Sequence, residues 1–380
     1  MQTRHNDNVF FEQKNPQEDF LLILYPRLFG GYTAERTSLG LSAFITHYAY
    51  KEISSEDNTD YQFKAYWRRQ CNERLNFNFD VNYTDDQRID RMLEESGLLT
   101  RDDHRRRQDY TVSGQYVLSE LNSLAAYYSL NSEEYDDPDI LDLVGHDFQL
   151  SLFHNLDAWF RRTTGSVRVR FSTYEYRNRQ MDAGSGFAIE SIGIKRFIDT
   201  YSLSLGLDRQ WTEALKLNLF LGVRNTHYKN EFRFGNLFFQ EVGRQEDDPW
   251  GFVGSLDLVY TGGSANAGMH LNHDLVPASG RNGLTERTSL QFSGGWRPYP
   301  AWRLSGTVTA RLNRTDRTGA TIDIDELTLG FAGALRYTLN RYWDLSFRLD
   351  HTEINDRERT IKRYRNAISL AFEWNLPVLE

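Results

Sequence analysis

The chain has 380 residues and a formal net charge of −9, and its mean hydropathy is −0.62, yet 14% of its residues are aromatic. Polarity combined with so many rings excludes a disordered chain, which is poor in aromatics, and a pI near 5.6 excludes nucleic acid as a partner, since phosphate recognition needs a basic surface. No stretch approaches the roughly 20 apolar residues of a membrane-spanning helix, so a bilayer crossing here has to be built from strands.

Apolar and polar residues alternate with period two along most of the chain, which puts them on opposite faces of strands. The pattern predicts an all-β fold: a transmembrane antiparallel up-and-down β-barrel of about 18 strands, with 16 as the alternative if one hairpin fails. It forms a single domain over residues 1–380. The first strand is expected near Gln2 to Phe11, and the opening Met1-Gln2-Thr3 inside it reads as a mature form in which Met1 replaces a removed signal peptide. Lys64, Tyr66 and Arg68 then share one face of a segment that ends at a turn holding Cys71, the single cysteine, so no disulfide framework is available. From Leu75 to Tyr83 the odd positions are apolar, and Asn76, Asn78, Asp80 and Asn82 face the other way.

Tight turns are expected near Glu35-Arg36, Asn72-Glu73, Glu120-Leu121, Glu213-Ala214, Gly262-Gly263, Tyr299-Pro300 and Asn340-Arg341, with a looser one from Leu156 to Arg161. Between them lie long polar stretches, residues 88–106, 132–145, 178–192 and 230–249. Short periplasmic turns alternating with long extracellular loops are the bacterial outer-membrane arrangement. Trp211, Trp296, Trp302, Trp343 and Trp374 gather at the short-turn ends and are expected to form a membrane girdle. Acidic clusters such as Asp136-Asp137 and Glu246-Asp247-Asp248 lack the spacing of a calcium loop and read as solvated, so neither metal nor cofactor is expected.

An 18-stranded barrel is wide enough for an aqueous lumen. Alternation points Lys64, Arg68, Arg168, Arg170, Lys216, Arg224, Arg303, Arg311, Arg336 and Arg348 inward, opposed by Asp80, Asp109, Asp208, Asp257, Asp344, Asp350 and Glu373. Two readings follow: the cations favour an anionic permeant, or they pair with carboxylates on adjacent strands and keep the wall hydrated. Inward Tyr66, Tyr127, Tyr174 and Tyr176 serve either as stacking platforms for sugar rings or as wall packing. Phe232, Phe234, Phe238 and Phe239 make an unusually apolar stretch that either folds inward as a constriction loop or forms a surface hairpin extending its flanking strands. His270, Asn272 and Asp274 share one face while His273 takes the other, so the two histidines do not chelate together, and no catalytic residue is assigned.

The last strand runs from about Arg363 to Asn375, and its Phe372 and Trp374 form a Phe-x-Trp ending that resembles the signal read by barrel-assembly machinery. Residues 376–380 then read as a disordered or vector-derived tail. The opening Asn6-Asp7-Asn8-Val9-Phe10, a short polar loop, Glu18-Asp19-Phe20 and Pro26 resemble the start of the β-barrel porin type 2 group of outer-membrane proteins. That resemblance implies a Gram-negative outer-membrane channel for exopolysaccharide export, set in lipid and lipopolysaccharide, with a periplasmic polysaccharide-export protein as partner. The residues themselves leave two alternatives open: a general or anion-preferring diffusion porin for small polar solutes, and a barrel hydrolase acting on lipid or polymer.

Overall fold

A computed structural model describes residues 1–87, 93, 103–137, 140–177, 193–236, 239–277, 284–315 and 324–376, with backbone alone for 193–194 and 230–247. Its first ten strand segments are β1 (Gln2–Asn6), β2 (Asp19–Leu24), β3 (Arg27–Ala34), β4 (Thr37–Tyr50), β5 (Asn58–Gln70), β6 (Leu75–Asp86), β7 (Arg105–Val117), β8 (Asn122–Tyr135), β9 (Asp142–Asn155) and β10 (Thr163–Arg177). The second ten are β11 (Gly193–Gln210), β12 (Leu215–Asn236), β13 (Phe239–Asp247), β14 (Trp250–Thr261), β15 (Ala265–Pro277), β16 (Leu284–Tyr299), β17 (Trp302–Thr315), β18 (Asp325–Thr338), β19 (Trp343–Asp356) and β20 (Ile361–Trp374). Every pairing is antiparallel between neighbours, and β1 pairs with both β2 and β20, so the sheet closes on itself.

Twenty segments make eighteen barrel strands because two strands are each interrupted once, at a proline. β2 and β3 both pair with β4 and are separated by Tyr25-Pro26; β13 and β14 both pair with β12 and are separated by Asp248-Pro249. Proline has no N–H to give a ladder, but each of these still accepts through its carbonyl, from Ile45 N at 3.1 Å and from Thr226 N at 3.0 Å. The expected count of 18 is therefore met and the alternative of 16 falls away.

The turns fall where the sequence places them, including the β5–β6 turn, in which Cys71 is exposed and its N–H donates to the Leu75 carbonyl at 2.8 Å. At the same end Trp343 stacks on Trp374, with ring centroids 5.5 Å apart, and Trp302 lies 4.6 Å from Tyr337. Trp211 and Trp296 are exposed there as well. Above them runs a band of outward apolar side chains, among them Leu41, Leu205, Leu221, Phe331 and Leu370. A cation in that band meets hydrocarbon. Leu221→Arg, at a position 61% exposed in mid-strand, is expected to destabilise the barrel by roughly 2–4 kcal/mol in lipid. Asn218→Arg, on the lumen face of the same strand, should cost far less; urea unfolding in vesicles compares the two.

Two loop expectations are corrected. The stretch 132–145 is largely strand, with β8 reaching Tyr135 and β9 beginning at Asp142. Residues 230–249 are not an irregular loop either: β12 and β13 continue as a hairpin with nine register pairs, from Tyr228↔Asp247 to Asn236↔Phe239. Strand pairing satisfies its own backbone groups and needs no lipid, so polar alternating sequence extends the sheet beyond the membrane.

Candidate functional site: the lumen and its outer closure

Cross-strand register puts the predicted lumen residues on one continuous inner face. Tyr66 stands opposite Asp80, Arg68 opposite Asn78, Arg170 opposite Gln149, Asp257 opposite His270, Arg303 opposite Arg336, and Arg348 opposite Ser369. They do not converge on one point. Arg303, Arg336 and Asp344 lie near the turn end, whereas Arg170 and Tyr174 lie in the outer half.

Many of these charges are paired within the wall. Arg336 reaches Asp344 at 2.6 Å and Glu373 at 3.1 Å, Arg348 reaches Asp350 at 2.6 Å, and Arg107 reaches Asp109 at 2.9 Å and Glu133 at 3.4 Å. Others lie on aromatic rings instead. Arg168 sits 3.6 Å from the Phe220 ring centre, Arg68 4.8 Å from Tyr66 and Lys64 5.6 Å from Phe44, cation–π geometry on the inner face. The rings are seated by glycines. Gly40 is opposite Tyr66, Gly145 opposite Tyr174 and Gly206 opposite Phe220, and a Cβ on each would lie 2.1, 2.9 and 2.3 Å from the facing ring. An aromatic side chain laid over a cross-strand glycine covers its bare backbone.

The outer half of the lumen is crossed by side chains. Leu143, Tyr176, Ile198 and Tyr228 point inward from β9 to β12 and form one buried apolar cluster with Leu141, Leu275 and Leu284, the last two from the outer ends of β15 and β16. These ends lie several strands away around the ring, so the contacts span the lumen. Two ion pairs brace the same crossing: Arg170 Nη1 to Asp274 at 2.8 Å, with Nε on Asp147 at 2.6 Å, and Arg224 Nη2 to Glu286 at 3.0 Å. Arg224 is thus buried inside the closure, not part of a wetted pore wall. Its guanidinium packs on Gly251, where a Cβ would come within 2.6 Å.

Of the two readings of Phe232, Phe234, Phe238 and Phe239, a constriction loop or a hairpin extending its flanking strands, the register matches the hairpin. Phe232, Phe234 and Phe239 lie on the β12–β13 hairpin, Phe238 lies outside the described residues, and the crossing contacts belong to β15 and β16. A second crossing joins Leu93 to Phe11 and Ile354, with Arg365 over the Phe11 ring at 4.3 Å and Arg311 Nη1 donating to the Leu93 carbonyl at 3.4 Å. Arg105 holds the rim of the outer wall: fully buried, it pairs with Asp86 at 3.2 Å and lies 3.8 Å from Glu133.

Below the crossing is a recess of about 720 Å³ lined by Arg107, Asp109, Tyr127, Asn131, Asp147, Gln149, Arg170 and Tyr174, with Val276 and Pro277 over its outer end. A second recess of about 650 Å³ contains Arg27, Phe44 and Lys64, and a third of about 580 Å³ contains Arg68, Asn78 and Tyr127. Of the histidines, His270 pairs with the Asp257 carboxylate across β14–β15, and His273, on the other face, bonds Thr288 at 2.8 Å. Among the described residues no three His, Cys, Asp or Glu side chains come together as a metal ion would need. In the outer loops, burial raises the Asp103 carboxyl above the usual range, against two opposing backbone N–H bonds, those of Asp137 and His104.

No family model matches this sequence, and no curated protein matches it. Among solved structures the chain is similar in fold to the ferric yersiniabactin uptake receptor FyuA from Yersinia pestis, at 8% identity over 97% of this chain and 64% of that chain, with a TM-score of 0.50. It is also similar to the ferric-catecholate import receptor Fiu from Escherichia coli K12, at 8% identity over 94% and 65% with a TM-score of 0.49. The alcaligin outer-membrane receptor FauA from Bordetella pertussis gives 12% identity over 99% and 65%, also at 0.49. The chain thus spans just under two thirds of the length of these receptors.

Closure of eighteen antiparallel strands, an apolar exterior and a polar lumen define an outer-membrane β-barrel with a channel- or transporter-like fold. Its place is the bacterial outer membrane.

Proposed function

We propose that this barrel is a conduit for exopolysaccharide export, that it belongs with the β-barrel porin type 2 group, and that a periplasmic polysaccharide-export protein hands it the polymer. The observation that carries the reading is the recess beneath the outer closure, where Asn131, Gln149 and carboxylate–guanidinium pairs surround the Tyr127 ring. Dense planar hydrogen-bonding groups with an aromatic face suit a hydroxyl-rich chain that presents both polar edges and apolar faces. Side chains closing the outer end fit a passage that opens only when cargo is delivered. The reading assigns the barrel passage and no catalysis.

A second reading, an anion-preferring diffusion porin, is favoured by Lys64, Arg68 and Arg168, which lie on rings and have no carboxylate partner among the described residues. Planar-bilayer conductance with oligosaccharides of increasing length added to one side separates the two. A conduit gives block that deepens with oligosaccharide length. A steady open current that discriminates among small anions and ignores saccharide supports the porin and sinks the conduit.

A further inference from the structure

We infer that the recess between β7–β10 and the outer ends of β15 and β16 is a binding subsite for an uncharged stretch of saccharide, and selects against an acidic one. The inference rests on the conduit reading and specifies its cargo.

Charge carries the argument. The lining brings three cations, Arg107, Arg170 and Arg287, and three carboxylates, Asp109, Glu133 and Asp147. Two of the guanidiniums are paired with carboxylates, and the third donates to a neutral amide. Arg107 spans Asp109 and Glu133, Arg170 spans Asp147 and Asp274, and Arg287 Nε donates to Asn313 Oδ1 at 2.9 Å. The carboxylates are engaged as well: Asp109 accepts from Asn131 at 2.7 Å and from Asn82 at 3.1 Å, and Asp147 from Ser172 at 2.9 Å. The recess therefore holds strong, oriented dipoles, and its lining cations do not outnumber its carboxylates. A uronic acid entering it adds a fourth negative charge to a lining of three cations and three carboxylates, so it meets repulsion and loses hydration.

Neutral sugar hydroxyls suffer neither penalty, since a hydroxyl both donates and accepts and can join an existing charge pair without dissolving it. Tyr127, half-buried and opposite Gln149, supplies the ring on which a sugar face lies. The volume of about 720 Å³ falls in the range of roughly 300–1,000 Å³ typical of ligand sites. Val276 and Pro277 end the recess, so a bound segment stops beneath the β15–β16 crossing.

Titration calorimetry of the purified barrel with neutral hexasaccharides, maltohexaose and cellohexaose, against hexameric oligogalacturonide tests this. A neutral hexamer is expected to bind about tenfold or more tightly than the acidic one. Tyr127→Ala should weaken neutral binding about three- to tenfold, while Tyr127→Phe, which keeps the ring, retains it and shows that the site survives substitution. Gln149→Leu should weaken it by a similar factor. Equal or tighter binding of oligogalacturonide, or neutral binding unmoved by Tyr127→Ala and Gln149→Leu, overturns the subsite. Acidic oligomers that bind here and block current leave the conduit standing and remove only this inference. Hexamers that neither bind nor block remove both.

Discussion

Arg105→Leu is expected to destabilise the barrel by about 3–5 kcal/mol, the usual cost of stripping the counter-charge from a buried ion pair. The Arg105 side chain has no exposed surface, and its two carboxylate partners, Asp86 and Glu133, are 7% and 2% exposed. Removing the guanidinium leaves both acids in a low-dielectric wall where water does not reach them, although Arg107 still lies 3.4 Å from Glu133. The charge explanation makes a second demand. Adding Asp86→Asn and Glu133→Gln to Arg105→Leu should recover most of the loss, because a neutral trio has no stranded charge. Urea unfolding followed by tryptophan fluorescence measures all the variants. A cost below about 1 kcal/mol for Arg105→Leu, within the range of an exposed pair, or no recovery in the triple variant, refutes the account.

The outer closure offers the second large effect. Asp274→Asn removes the charge that Arg170 holds across the lumen, while leaving Asp147 to satisfy the same guanidinium from β9. A hydrogen bond between charged groups contributes about 1.5–3 kcal/mol, so the ratio of closed to open arrangements should fall roughly ten- to hundredfold. The apolar cluster of Tyr228, Leu275 and Leu284 remains, so the channel should flicker between states instead of standing open. Single-channel recordings should show more frequent and longer openings than the unaltered protein, and Glu286→Gln, which releases Arg224, should add to the effect. Unchanged open probability in the double variant would mean that the crossing does not limit passage. High salt should mimic the substitutions in part, since these pairs are only partly shielded from solvent.

The barrel was legible because its main signal, period-two alternation, is local: each strand declares its faces without reference to its neighbours. The turns were legible for a similar reason, and so was the placing of tryptophans beside them. What alternation does not report is which inward residues meet across the lumen. Arg170 and Asp274 are 104 positions apart, and nothing in either strand singles them out. A weaker signal was present all the same. Leu143, Ile198, Phe220 and Tyr228 fall on the inward parity of strands whose outward positions are already apolar, so each is an exception to the two-faced pattern. Three of the four lie in the crossing cluster and the fourth carries Arg168. Apolar residues at inward parity mark lumenal contacts. Arg105 was missed because residues 88–106 read as one polar loop, when β7 in fact begins at Arg105 and turns its first side chain inward.

The closing seam also bears on how such a molecule forms. Nearly every other pairing joins strands adjacent in sequence, whereas Gln2 to Asn6 meets Ala371 to Ala367 at opposite ends of the chain. Local hairpins close small loops at little entropic cost, and the end-to-end contact closes the largest one. The growing structure is therefore a curling open sheet until the last step, with two unsatisfied edges facing its surroundings. Unpaired edges invite pairing with other chains, and short edge strands blunt that hazard. At one edge the chain places its shortest strand, five residues in β1, while β20 has fourteen. The edge to be guarded during assembly is thus β20, and a catalyst of insertion has most to gain by holding that strand until β1 arrives.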